Sequence, residues 1–186
     1  VSHELLRDSC GEMIKHGVLA DEKLFDMLRK DPVCAPGFDP DKLVGIVARN
    51  VEIKRDVVDA DEQEHERRQT LNLGHTIGHA IEAASDFRLG HGSCVAAGLC
   101  CVARASARLG WCAQDVADRI VSCVEAYGLP TNTNIDHDTL LEYASRDKKR
   151  RADFVTLVVP TRIGAVELRR VSLEELRHVI DLGCGE

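Results

Sequence analysis

NLGHTIGHAIEAASDFRLGHG, residues 72–92, places His75, His79 and His91 in twenty-one positions, each beside a glycine. The apolar residues Leu73, Ile77, Ala80, Ile81 and Ala84 recur at helical spacing, which predicts a buried helix. On it His75 and His79, four apart, project from one face about a turn from each other. Two readings of that pair stay open: imidazoles sharing a ligand such as zinc, or satisfied histidines of a helical core. The peptidase form HExxH is excluded because Thr76 follows His75. Glycine precedes His75 and His79 and flanks His91 on both sides, and a residue without Cβ lets a backbone or a ligand come close. From the mouth of the next helix, His91 can reach back to the same point.

Working outward, the apolar period runs through Leu5 to Ile14, Leu24 to Leu28, and Leu43 to Ile53, predicting three helices. Residues 31–42 carry three prolines and a glycine and read as a loop, with Asp39 or Pro40 opening the third helix. The run DADEQEHERRQ, residues 59–69, reads as a charged turn feeding the histidine helix. Beyond Gly90 an alanine- and glycine-rich helix is expected over about 93–109, and another over about 113–127, stopped by GLPTNTN. The tail changes character: FVTLVVP (154–160) and AVELRRV (165–171), separated by TRIG, predict a hairpin, and SLEELRHVIDLG a closing helix. The fold class is mainly α, one domain over residues 1–186 with a small β pair near its C-terminus.

With 186 residues, 44% of them hydrophobic, the chain can bury a sizeable core. A net charge of −7 argues against nucleic acid, which is bound by clustered Lys and Arg. No apolar run approaches the roughly 20 residues that span a bilayer, and the first residues lack the pattern of a secretory signal, so no membrane partner and a cytoplasmic location are expected. The eight cysteines are scattered without a CxxC pair and read as reduced, mostly packing thiols, Cys94 among them. His3, His16, His65, His137 and His178 read as surface or packing residues. Glu12 and Lys15, three apart in CGEMIKHG, read by themselves as an exposed helical ion pair. The chain begins at Val1 without Met and runs at once into a helical pattern, as expected of a piece of a longer polypeptide.

Three segments, CGEMIKHGVLAD (10–21), residues 51–92, and GLPTNTN with residues 145–180, together resemble the metal-dependent sugar phosphate cyclases, and within them the 3-dehydroquinate synthase family. The likeness runs in order from near residue 5 to near 182 and covers the helical C-terminal half of that family. It implies a divalent metal, Zn²⁺ or Co²⁺, held by Glu12, His75 and His91. His79 is then an active-site histidine rather than a ligand, and Glu64 a proton acceptor. Lys15, Lys54, Arg68, Asn72 and Lys148, the last beside Lys149, match substrate-contacting positions. The implied substrate, 3-deoxy-D-arabino-heptulosonate 7-phosphate, carries a carboxylate and a phosphate, for which Lys and Arg are the expected clamps. NAD is expected on an N-terminal domain that this chain lacks, since no glycine-rich dinucleotide fingerprint follows a strand here. A homodimer is the family's tendency.

Two departures stand out. Glu66 occupies a position where the family has glycine, and HGSCV (91–95) stands in place of HGEAV, so Ser93 replaces a carboxylate next to a proposed ligand. They bear on metal preference and on which cyclase this is. The rival readings are a cyclase of secondary metabolism, a glycerol-dehydrogenase-like enzyme, and a non-catalytic metal-binding module.

Overall fold

A computed structural model of the chain describes residues 2–61, 66–146 and 154–185. Its order is α1 (His3–Ala20), α2 (Glu22–Lys30), α3 (Pro40–Asp61), a 3-10 turn (Arg67–Asn72), α4 (His75–Ala84), α5 (His91–Arg108), α6 (Gln114–Ala126), α7 (His137–Ser145), β1 (Phe154–Arg162), β2 (Ala165–Ser172) and α8 (Leu173–Gly183). The mainly helical class with a small β pair is as expected. No helix among the described residues is long and apolar enough to cross a membrane.

Short polar side chains start several helices by accepting their unpaired N–H groups. Ser2 accepts from Leu5, Asp21 from Leu24 and Asp136 from Thr139, while Ser172 and Glu175 close a reciprocal capping box on α8. Beyond α5 and α6 the chain turns at Gly110 and Gly128, both at positive φ. The strands pair antiparallel, Phe154 opposite Ser172 through Arg162 opposite Ala165, and the Gly164 N–H donates to the Val18 carbonyl at 2.9 Å, tying the hairpin to α1.

Helix α5 is buried nearly all round and divides two cores. Ala96, Leu99, Cys100 and Ala103 face a core shared with α1, α2, α3 and α6. Ala97, Cys101, Val102 and Ala105 face one shared with α4, α7, α8 and the hairpin. Only small side chains allow a helix to be packed on so many sides. Its buried cysteines serve that purpose: burial pushes the Cys100 thiol up to about 12, so it is a neutral packing group.

The structure differs from the sequence reading in three places. α5 starts at His91, two residues earlier than the apolar period indicates. α3 continues to Asp61, because the charged residues after Val58 are compatible with an exposed helix surface and the Arg55 guanidinium lies 4.0 Å from Asp59 one turn on. α7 has no counterpart in the apolar period: it is nine residues long and buries only Leu140 and Ser145, too little for a period to show, although its Asp136 cap is a start signal.

Candidate metal centre

Three helices meet where glycines replace side chains. A Cβ on Gly98 of α5 would lie 2.2 Å from the Gly74 carbonyl oxygen and 2.6 Å from the Gly78 nitrogen, so α4 and α5 touch backbone to backbone. A Cβ on Gly11 would lie 2.1 Å from the Gly92 carbonyl oxygen, so α1 and α5 do the same. Gly74, at φ 77°, also turns the chain into α4 in a conformation that other residues rarely adopt. These approaches bring His75 and His79 of α4, His91 at the first turn of α5, and Glu12 of α1 to one point.

Glu12 Oε1 lies 3.3 Å from His75 Nε2 and 3.7 Å from His91 Nε2. The other ring nitrogen of each histidine is engaged. His75 Nδ1 is 3.0 Å from the Leu73 carbonyl, and His91 Nδ1 is 3.2 Å from Glu82 Oε2. A carbonyl and a carboxylate only accept, so each Nδ1 carries a proton, and the neutral ring, the form that ligates a metal, presents a bare lone pair at Nε2. Glu12 Oε1 is buried and has no hydrogen-bond partner among the described residues. Two lone pairs thus converge on an anionic oxygen, an arrangement that repels itself and that a divalent cation satisfies. The residues fit a metal, and carboxylate with imidazole is a donor set that zinc accepts.

The protonation states agree with this. Burial, then the Lys15 ammonium, push His75 down to about 4, so its imidazole is neutral at physiological pH. Burial opposes ionisation of Glu12, but Lys15 outweighs it and holds the carboxyl below its ordinary value. Lys15 is 3% exposed, which corrects the reading of an exposed pair: its Nζ donates to Glu12 Oε2 at 2.7 Å and to the Leu71 carbonyl at 3.0 Å.

His79 stands beside this triangle, its ring centre 5.1 Å from that of His75 and 5.6 Å from that of His91. One nitrogen from each of the three histidines falls within 4.8 Å of the others, so distance alone leaves His79 within reach of the same ion. The orphaned, buried oxygen distinguishes Glu12. His79 is exposed and, with Asn72, His75 and Thr76, lines a cavity of about 360 Å³ closed by Gln69, Tyr143 and Thr156. Asn72 and Gln69 also border a neighbouring cavity of about 510 Å³ with Arg68, Asp61 and Glu66. The Arg68 backbone N–H donates to Asp61 Oδ1 at 2.9 Å. Lys54 is exposed on α3, and its charge helps to lower Lys15 and His16. Glu64 and Lys148 lie outside the described residues.

The two departures have visible settings. Glu66 sits at φ 94°, where glycine is at ease and a side chain is strained by roughly 1–3 kcal/mol. Ser93 Oγ donates to Asp8 Oδ1 at 2.7 Å. Sequence reasoning missed Asp8, Glu82, Gln69, Thr76, Tyr143 and Thr156. Glu82 was legible, three residues after His79 and seven after His75 on the same helical face. Tyr143 and Thr156 come from elements distant in sequence and carry no local signal.

Residues 9–150 match the family model of the 3-dehydroquinate synthase C-terminal domain. The chain is 36% identical over 174 residues to a 3-dehydroquinate synthase of Pseudoalteromonas atlantica, covering 91% of this chain and 49% of that one. It is 40% identical over 155 residues to that of Halorhodospira halophila, covering 82% and 44%. The chain therefore spans about half the length of these curated relatives. Among solved structures, a 2-epi-5-epi-valiolone synthase from Streptomyces hygroscopicus with NAD⁺ and Zn²⁺ bound superposes at a TM-score of 0.81 with 19% identity, over 97% of this chain and 51% of that one. A 2-deoxy-scyllo-inosose synthase complexed with carbaglucose-6-phosphate, NAD⁺ and Co²⁺ gives 0.80 with 20% identity, over 97% and 52%. At that identity the likeness is one of fold.

Proposed function

The chain belongs to the 3-dehydroquinate synthase C-terminal family, and from that premise we propose that it supplies the metal- and substrate-binding half of a 3-dehydroquinate synthase. The proposed reaction converts 3-deoxy-D-arabino-heptulosonate 7-phosphate to 3-dehydroquinate and phosphate, in the cytoplasm, as a step of the shikimate route. The observation that carries this reading is the triangle of Glu12 Oε1 with the two bare Nε2 atoms of His75 and His91, 3.3 and 3.7 Å away.

Glu12, His75 and His91 would hold a divalent ion, Zn²⁺ or Co²⁺, beside the cavity that His79 and Asn72 line. Such an ion supplies a Lewis acid that orients substrate hydroxyls and lowers their pKa. His79, exposed in that cavity and close to His75, is the proposed group that passes protons to and from a substrate, with Glu64 as the proposed acceptor. Lys15 fixes Glu12 with one donor and Leu71 with another, leaving its third N–H for a substrate oxygen. Lys54, Arg68, Asn72 and Lys148 are the proposed contacts for carboxylate, phosphate and hydroxyls. Hydride transfer belongs to NAD, whose proposed site lies on the half of the relatives' length that this chain does not span. A homodimer is the proposed assembly.

A second reading, a cyclase acting on another heptulose or hexose phosphate, is favoured by Ser93, which stands where the family has a carboxylate beside His91. Phosphate release from each sugar phosphate by the complete, metal-loaded protein with NAD⁺ decides between them. The heptulosonate is expected to be turned over and the others not; release from another sugar phosphate alone would select the second reading. These 186 residues alone are expected to bind one metal ion and release no phosphate. Unchanged metal content in His75→Ala would remove the ligand set and both readings.

A further inference from the structure

Helix α5 starts at His91 behind Gly90, which has no side chain with which to cap it, yet the second and third residues of the helix find an acceptor on another helix. The Gly92 N–H donates to Asp8 Oδ2 at 3.1 Å, and Ser93 donates to Asp8 Oδ1 twice, from its N–H at 2.8 Å and from its Oγ at 2.7 Å. A carboxylate at this end also faces the positive pole of the helix. The fit is close: a Cβ on Gly90 would lie 2.2 Å from Asp8 Oδ1, and one on Gly92 would lie 1.9 Å from the Asp8 carbonyl oxygen.

Asp8 and Glu12 are four apart on α1, so one face of that helix presents both toward the first turn of α5. Asp8 takes the backbone on the C-terminal side of His91, while Glu12 Oε1 lies 3.7 Å from His91 Nε2. The ring itself is turned by Glu82 at Nδ1. The His91 side chain is 44% exposed, so packing does little to hold it. Its direction is set by the ring contact with Glu82 and by where α5 starts.

We propose that Asp8 is a positioning residue: by capping α5 from α1, it fixes the start of α5 and with it the distance and direction of the His91 imidazole relative to Glu12. This rests on the metal reading above and assigns the metal's hold on the protein partly to a residue that does not touch it. Outer contacts of this kind alter metal affinity about 10–100-fold when removed.

The test is Zn²⁺ affinity by chelator competition, with the visible absorption of the Co²⁺-loaded protein and the circular dichroism of the metal-free protein, in Asp8→Ala, Asp8→Asn, Ser93→Ala and His75→Ala. His75→Ala is expected to abolish binding. Asp8→Ala is expected to weaken Zn²⁺ by about 10–100-fold with a changed Co²⁺ spectrum and native dichroism. Asp8→Asn keeps one acceptor oxygen and should recover part of the affinity. Ser93→Ala loses one of three hydrogen bonds and should weaken Zn²⁺ by about fivefold. Wild-type affinity and spectrum in both Asp8 variants, with binding lost in His75→Ala, would overturn the proposal and leave the metal site standing. Loss of affinity with an unchanged Co²⁺ spectrum would also overturn it, since that is what general destabilisation gives. Wild-type binding in His75→Ala would remove the metal reading itself. Should Asp8→Ala not fold, the near-isosteric Asp8→Asn decides.

Discussion

At Glu12 the two carboxylate oxygens have opposite surroundings: Oε2 takes the Lys15 ammonium at 2.7 Å, while Oε1 faces two imidazole lone pairs without a donor. The residue is therefore anionic and half-satisfied, and replacing it by an amide of the same shape separates charge from volume. Glu12→Gln should reduce Zn²⁺ affinity at least about 100-fold, because the amide is a poor ligand and its NH₂ can donate to the Nε2 atoms that would bind the ion. Equilibrium dialysis against buffered zinc reads this directly; affinity within a few-fold of wild type would exclude Glu12 as a ligand. The same residue shows the reach of local sequence reading. His75 and His91 stand out by their glycines and spacing, but Glu12, on a different helix, looks in sequence like an ordinary surface acid. Its three-dimensional neighbours give it meaning, and family resemblance points to it where local spacing does not.

At the scale of elements, the metal centre depends on how closely α4 and α5 approach. Gly98 makes the contact with the start of α4, and its substitution has no soft side chain to push aside, only backbone atoms 2.2 and 2.6 Å away. Gly98→Ala should destabilise the fold by about 1–3 kcal/mol or more through overpacking and should weaken metal binding as α4 shifts. Gly45 is the control: it lies within α3, where an added methyl would meet nothing within 4 Å, so Gly45→Ala should stabilise by about 0.5–1 kcal/mol through helix propensity. Urea denaturation of both variants measures the contrast, and equal effects would show that crowding at Gly98 is relieved by small shifts. Most elements are legible because long amphipathic helices and a β-branched hairpin write clear periods. The Arg67–Asn72 turn and α7 are not, since they are short and are held by neighbours more than by a pattern of their own. The start of α5 at His91 is hidden for a related reason: its cap, Asp8, lies on α1.

Across the whole molecule, α1 is anchored on one side to α5 and on the other to α3, and the second anchor is polar. His16 Nδ1 donates to Asn50 Oδ1 at 2.9 Å, and Asn50 Nδ2 donates to the Ile46 carbonyl at 2.8 Å, all buried. Burial, then the Lys15 charge, lower the His16 pKa below its ordinary 6.5, although the bond to Asn50 opposes them. Below pH 6.5 the unfolded chain takes up a proton at His16 before the folded one does, so stability falls as pH drops from 6.5 toward the folded value. Asp21, which caps α2 and pairs with Arg49, acts in the same direction lower down. Burial raises its pKa, but the Leu24 N–H and the Arg49 guanidinium outweigh this and hold it below 3.8. Its contribution is present above that value and is lost as pH falls through the folded one. The protein, with chelator present to remove metal-linked protons, should therefore lose stability in two acid stages, the first beginning near pH 6.5. In His16→Gln the slope of unfolding free energy between about pH 7 and 5 should become shallower, while the fall below about pH 4 persists. Urea melts across pH read both stages, and an unaltered slope in His16→Gln would mean that the α1 to α3 anchor does not sense protons and that His75 alone carries the first stage.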